Sequence, residues 1–145
     1  MKILLNRKSS IHEIKQRFDK DVDRFSNLES GQTATIDAPL AMELITQAAY
    51  HSTPDVKKVL DIGCGAGNNT LKFLEYAPSF DSDLIDLSLP MLKKSKERIS
   101  AINTGEVKII QGDFREIELL DNEYDVIFAA AVLHHLRDDQ DWERT

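Results

Sequence analysis

The chain has 145 residues, a length that fits one domain of ordinary size. Hydrophobic residues make up 41% and charged residues 30%, so the chain can bury a sizeable core, whereas the net charge of −7 argues against broad binding to nucleic-acid phosphates. No run approaches the roughly 20 apolar residues of a membrane-spanning helix, so we expect no membrane association.

Cysteine and histidine are too few and too scattered for a disulfide framework or a zinc site. Cys64 is the only cysteine, which excludes an internal disulfide and favours a reducing compartment such as the cytoplasm. We expect it to be a small packing residue rather than a catalytic thiol. The histidines do not combine with it in any zinc spacing, so we predict no metal site. They are His12, His51, His134 and His135.

Residues 1–52 are predicted to form an N-terminal helical segment. Ser10 and Glu13 have the spacing of a capping box. The apolar residues that follow recur every three or four positions and predict one helix of about 15 residues. They are Ile11, Ile14, Phe18, Val22 and Phe25. Asp37 is the predicted cap of a second helix, with Pro39 in its first turn. The residues expected to face inward there are Leu40, Leu44, Ile45 and Ala48.

The segment 59–68 reads VLDIGCGAGN, an apolar run with an acid, followed by a glycine at every second position. This pattern predicts a buried strand and a turn that opens a helix, where backbone N–H groups are free to meet a ligand. The dinucleotide fingerprint starting at Gly63 would require glycine at position 68, where the chain has Asn68. Glycines that merely pack a helix on a sheet are the alternative.

At these residues the chain resembles the class I S-adenosylmethionine (SAM) methyltransferases, whose first motif is acid-x-Gly-x-Gly-x-Gly. The resemblance implies that SAM is the cofactor and S-adenosylhomocysteine its product. It also implies that the cofactor contacts Asp61, Gly63, Cys64, Gly65 and Gly67.

A second predicted strand ends at Asp86, 19 residues after Gly67. An acid at about this distance reaches the ribose hydroxyls of a nucleoside in a βαβ unit, the alternative being a solvated acid at a strand end. Ser88 is the predicted cap of a helix over residues 89–102, whose apolar side is expected to hold Leu92, Ile99 and Ile102. Lys93, Lys94, Lys96 and Arg98 are expected largely outside. The run resembles the family's second motif, which implies cofactor contacts from Asp86 and Leu87.

A third strand, predicted over residues 107–110, leads into Asp113 and Phe114. The resemblance implies that Asp113 bonds the adenine amino group and that Phe114 lies against the ring. An ordinary turn acid beside a core aromatic residue is the alternative.

A fourth strand, predicted over residues 124–129, runs into AAAVLHHL. This run resembles the fourth motif of methyltransferases that act on small molecules, and it implies that Ala129 and Ala130 contact the amino acid part of SAM. His134 and His135 are candidates for a general base, since histidine titrates near neutral pH. Alternatively, they are a polar pair that begins a helix.

The predicted fold is α/β, a Rossmann-like, mainly parallel sheet with helices on both faces. The resemblance implies the strand order, with the third strand at one edge, then the second, first and fourth. Residues 53–145 are expected to form a partial SAM-binding domain. The family sheet has three further strands, so we expect the chain to be truncated after the fourth, whose open edge then favours self-association.

Three hypotheses on function follow. The first is SAM-dependent methyl transfer to a small-molecule acceptor, with residues 1–52 packing beside the cofactor and closing over the acceptor, or simply packing on the sheet. The second is a carboxy-SAM-type enzyme that modifies the wobble uridine of tRNA. The third is a non-catalytic SAM-binding fragment. The sequence lacks an Asn-Pro-Pro-Tyr-like motif, which lowers the expectation of a DNA base as acceptor.

Overall fold

The computed structural model describes residues 8–27 and 37–144. Within them, four parallel strands form one sheet in the order β3-β2-β1-β4, which confirms the predicted fold class and strand order. The strands are β1 (Lys58–Ile62), β2 (Asp81–Asp86), β3 (Val107–Gln111) and β4 (Val126–Phe128). The fourth strand is shorter than predicted.

Six α-helices and two short 3-10 turns connect and cover these strands. The helices are α1 (Ile11–Lys20), α2 (Val22–Ser26), α3 (Ala38–Ser52), α4 (Asn68–Phe73), α5 (Leu89–Ser100) and α6 (Asp139–Glu143). The 3-10 turns are Phe114–Glu116 and Leu133–His135. No helix in the described part of the chain is both long and apolar enough to cross a membrane.

The core lies around β1 and β2. Three successive residues of β1 are buried, so both faces of that strand are covered, as is usual in parallel sheets. The ring of Phe73 lies 5.4 Å from that of Phe80 and 5.3 Å from that of Phe128, which joins α4 to the strands. Leu92 and Ile99 of α5 are fully buried, as predicted. This core fixes the carboxyl ends of the strands in place.

The single N-terminal helix predicted from the apolar spacing is wrong, because the chain forms two helices that meet at Asp21. The N–H of Asp21 donates to the Phe18 carbonyl at 3.3 Å, and the helix ends there. In a straight helix, residues seven apart are separated by about 10 Å along the axis. The bend instead brings the rings of Phe18 and Phe25 to 5.1 Å. The interruption between α1 and α2 therefore coincides with a contact between the rings of Phe18 and Phe25.

The predicted inward face of α3 is also wrong. Its four residues are exposed, Leu40 and Leu44 by more than half. The buried residues are Ala38, Met42 and Thr46, an alternative stripe with four-residue spacing that faces α4. The Thr46 hydroxyl donates to the Met42 carbonyl at 2.8 Å, so burying it leaves no unmet hydrogen bond.

Two smaller corrections concern helix ends. Asp37 precedes α3 in a left-handed conformation, with φ +55°, and its side chain makes no cap hydrogen bond. Ile102 lies beyond the end of α5 and is 60% exposed, because the helix stops at Ser100. Arg98 is half-buried, because its guanidinium donates to the Ala66 carbonyl at 2.7 Å.

Candidate functional site

A cavity of about 850 Å³ opens at the carboxyl ends of the strands. The glycine turn after β1 and the residues that follow β2, β3 and β4 form its floor, while α1, α2 and the start of α3 form its wall. Its volume lies in the range of small-molecule sites, and its place is where open parallel sheets bind ligands.

The three glycines of the turn all have positive φ, from +51° to +81°, but their surroundings differ. A Cβ at Gly63 would lie 2.6 Å from a methyl group of Val132, and one at Gly67 would lie 2.9 Å from Ile99 Cδ1. A Cβ at Gly65 would meet nothing within 4 Å. Gly63 and Gly67 therefore permit close packing, whereas Gly65 leaves bare backbone beside the cavity.

Asp86 is held against this turn by backbone donors. Its Oδ2 accepts the Gly65 N–H at 2.9 Å and its Oδ1 accepts the Ser88 N–H at 2.8 Å. Burial raises the pKa of the Asp86 carboxyl, and these N–H bonds oppose the shift. A carboxylate has about four acceptor positions, so lone pairs remain for hydroxyl groups in the cavity, which Asp86 and Leu87 both line.

Asp61 does not line the cavity. It is fully buried, and the Thr70 hydroxyl donates to its Oδ2 at 2.7 Å, while its Oδ1 has no hydrogen-bond partner. Burial raises the pKa of Asp61 to about 7. The structure thus places this residue away from the cavity surface, although the sequence motif predicted a contact with the cofactor.

Cys64 is buried at the cavity floor. Its Sγ lies 3.4 Å from the Gly65 carbonyl oxygen and 3.9 Å from the Ser95 hydroxyl. Burial raises the pKa of the thiol well above its ordinary value, so the thiolate that a nucleophile requires does not form at neutral pH. The geometry fits a packing role.

Asp113 and Phe114 line the cavity after β3, and Asp113 belongs to an ion-pair network that the sequence did not reveal. Arg115 Nε donates to Asp113 Oδ1 at 2.8 Å, and Arg115 also pairs with Asp141 of α6. Arg137 Nε lies 3.0 Å from Asp141 Oδ2. The Arg115 guanidinium lowers the pKa of Asp113, which stays ionised.

The residues after β4 form another part of the cavity. Ala130 lines it together with Ala131, which has a left-handed φ of +55°, whereas Ala129 does not. The rings of His134 and His135 lie 3.9 Å apart, and both line the cavity. Burial is the largest cause that lowers the pKa of His135, to about 4, so this imidazole is neutral at pH 7.

Helices α1 and α2 pack directly over these histidines. The Phe18 ring lies 6.1 Å from that of His135 in an edge-to-face arrangement, and Lys8 Nζ donates to the Leu136 carbonyl. On the other side, Asn68 Nδ2 donates to the Phe25 carbonyl at 3.0 Å. The N-terminal helices therefore form a wall of the cavity. No group of three or more metal-ligating side chains occurs among the described residues.

Comparison with known proteins gives one family. A family model described as "Methyltransferase domain" matches residues 59–145. The malonyl-acyl carrier protein O-methyltransferase of Halalkalibacterium halodurans is 32% identical over 98 residues, which are 66% of this chain and 35% of that protein. The demethylmenaquinone methyltransferase of Staphylococcus aureus is 26% identical over 132 residues, 90% of this chain and 52% of that one. The chain thus spans between a third and about half of these relatives.

Among solved structures, the N-methyltransferase NodS of Bradyrhizobium japonicum, in complex with S-adenosylhomocysteine, has a TM-score of 0.67 at 18% identity. The match covers 90% of this chain and 62% of NodS. At this identity, the similarity shows a shared fold.

Proposed function

This chain belongs to the methyltransferase domain family, and we propose that the protein binds SAM and transfers its methyl group to a small-molecule acceptor. The observation that carries the proposal is the pairing of Gly65 and Asp86. Bare backbone at Gly65 borders open space, and the carboxylate of Asp86 beside it keeps lone pairs free for a pair of hydroxyls such as those of ribose.

The other cavity residues fit the remaining parts of the cofactor. We propose that Leu87 and Phe114 lie against the adenine and that Asp113 accepts from its amino group. Ala130 follows β4, where it borders the amino acid part, and Gly63 and Gly67 shape the turn. We propose that Asp61 and Cys64, buried beneath the glycine turn, are packing or positioning residues. Ala129 directly precedes Ala130 and helps to position it.

When bound, SAM supplies a methyl group that its positively charged sulfur activates towards a nucleophile. The residues of this chain then have to orient the acceptor and exclude water. We propose that α1 and α2 exclude water, because Ile14, Phe18 and Phe25 cover the cavity. His134 is the proposed group that takes a proton from an acceptor that has to lose one, and His135, whose lowered pKa makes it the weaker base, lies beside it.

The proposed acceptor is a small molecule because the relatives named above include a demethylmenaquinone methyltransferase. We further propose that residues 1–52 form the helical wall and residues 53–145 a partial SAM-binding domain. A buried, unpaired Cys64 supports a cytoplasmic location. In the alternative role linked to tRNA, the protein would bind SAM to make its carboxylated form and would transfer no methyl group, so the identity of the co-purifying nucleoside separates the two.

The test is calorimetric titration with S-adenosylhomocysteine, SAM and NAD. The test variant is Asp86→Asn. Both oxygens of Asp86 accept backbone N–H groups, so the amide NH2 of asparagine would face one of these donors, and the negative charge would be lost. We expect affinity for S-adenosylhomocysteine to fall at least tenfold, within the roughly 1–3 kcal/mol range for bonds to charged groups. The control, Asp55→Asn, changes an exposed acid in the connector before β1. Tight NAD binding without binding of S-adenosylhomocysteine would refute the proposal.

A further inference from the structure

Charged side chains of both signs line the cavity; they are Arg17, Asp21, Arg24, Asp86, Asp113, Arg115 and Arg137. Two carboxylates, Asp86 and Asp113, lie where β2 and β3 end. On the opposite side, Arg17 of α1 lines the cavity, and the exposed Lys8 lies at its rim, where its Nζ donates to the carbonyl of the lining residue Leu136. Arg17 therefore offers a positive charge to the cavity of a chain whose net charge is −7.

Lys8 and Arg17 differ from the other cations nearby because no carboxylate in the described part of the chain forms an ion pair with them. Arg24 lies 3.9 Å from Asp21, and Arg115 and Arg137 both pair with Asp141. Within residues 8–27 and 37–144, no carboxylate forms an ion pair with Arg17, and Lys8 contacts only the neutral Leu136 carbonyl. Two positive charges are therefore available to a ligand.

Both cations lie beside the histidine pair. Arg17 Cζ is 5.7 Å from the centre of the Phe18 ring, and that ring contacts His135. Lys8 donates to the residue directly after His135. After burial and His134, the positive charges of Arg17 and Lys8 are further causes that lower the pKa of His135.

We propose that Arg17 and Lys8 bind an anionic group of the methyl acceptor, a carboxylate or a phosphate, next to His134 and His135. This inference rests on the proposed function for its assignment of that side of the cavity to the acceptor. A guanidinium presents paired N–H donors that match the oxygens of either group. With the anion bound here, the reacting atom of the acceptor points towards the floor of the cavity. His135 is neutral and can still accept a hydrogen bond.

The test is titration of the 145-residue chain with malonate and with inorganic phosphate, with and without saturating S-adenosylhomocysteine. Malonamide is the uncharged match for malonate. We expect one of the two anions to bind and malonamide not to bind. Arg17→Gln should weaken that binding at least fivefold and leave the Kd for S-adenosylhomocysteine within twofold. Lys20→Gln is the control, because it removes a charge from an exposed position on the same helix, away from the cavity.

Equal binding of malonamide, or unchanged anion binding in Arg17→Gln, would overturn the inference. A chain that binds malonate through Arg17 but does not bind S-adenosylhomocysteine would refute the proposed function and leave the anion site standing. Carboxy-SAM is a further probe. If it binds more tightly than SAM only when Arg17 is present, and neither free anion binds, the anion belongs to the cofactor and the inference about the acceptor is wrong.

Discussion

The glycine turn shows how residues of one type in one motif can have different roles. The spacing of Gly63, Gly65 and Gly67 predicted a ligand site, but only the structure separates the position that borders open space from the two that border packed side chains. Substituting them one at a time should therefore separate effects on cofactor binding from effects on folding.

At Gly65, alanine should mainly reduce cofactor affinity. Its Cβ would enter the cavity without a clash, so stability falls only by the cost of a left-handed alanine, about 1–2 kcal/mol. We expect at least a tenfold loss in affinity for S-adenosylhomocysteine, measured by calorimetry. Gly63→Ala is the comparison, since its Cβ would meet Val132 at 2.6 Å and lower the free energy of unfolding further. Equal affinity in Gly65→Ala and the wild type would contradict this assignment.

Asp61 gives a prediction about pH. Its carboxyl has a folded-state pKa of about 7, above the ordinary value of 3.8, because burial disfavours its charge. Between these values the folded state holds a proton that the unfolded state has released. Stability is therefore fully present below about pH 4 and falls as pH rises to 7, by about 1 kcal/mol per pH unit from this group.

Asp61→Asn should remove this dependence, because the amide oxygen still accepts from Thr70 and carries no charge. Urea unfolding at pH 5, 6 and 7 measures the difference between the two proteins. The wild type should lose stability relative to Asp61→Asn as pH rises. A constant difference over this range would show that Asp61 is not protonated in the folded state.

At the scale of single residues, the sequence located Asp86 correctly beside the glycine turn, because the carboxyl ends of neighbouring parallel strands meet at one edge. It gave no sign of the network that joins Arg115, Arg137 and Asp141. Arg115 and Asp141 are far apart in the chain, and their pairing depends on how α6 packs against the turn after β3.

Among the helices, α3 illustrates a limit of periodicity. One stripe contains Leu40 and Leu44, the other Met42 and Thr46, and both have helical spacing. The more apolar stripe was predicted to be buried, yet contact with α4 buries the other. This orientation also brings Glu43 within 2.7 Å of Lys72 Nζ on α4. The sequence therefore predicted where the helix lies in the chain, but not which of its faces is buried.

Helix α6 should depend on Asp141 for its position. Its carboxylate accepts from the Arg137 backbone at 2.9 Å and pairs with Arg115, so Asp141→Asn weakens both links to the rest of the domain. Trp142, the only tryptophan, reports on this helix by fluorescence. We expect a red shift of its emission and faster proteolysis near residue 137.

Asp139→Asn is the matched control, because Asp139 is an exposed acid on the same helix. It should leave the emission and the rate of proteolysis unchanged. If Asp141→Asn behaves like this control, packing alone holds α6, and the ion pairs contribute little.

For the whole molecule, the strand order was implied by the family resemblance, and the structure confirms it. The sequence also predicted that one edge of the sheet is open, but only the structure shows which side chains are exposed there. In β4, Val126 and Phe128 are buried, whereas Ile127 is 58% exposed, and the strand pairs only with β1 among the described residues. The edge thus combines free backbone groups with an exposed apolar side chain.

We therefore predict that the 145-residue chain self-associates through β4. An unpaired edge offers N–H and C=O groups to a second copy, and a charged side chain on the edge opposes such pairing. Ile127→Lys should shift the chain towards the monomer in sedimentation velocity at concentrations where the wild type associates. Ile102→Lys, which changes an equally exposed isoleucine away from the sheet edge, should not. A wild type that stays monomeric at all concentrations, or equal association of both variants, would show that this edge is not the contact, and the exposed face of α3 would then be the next surface to substitute.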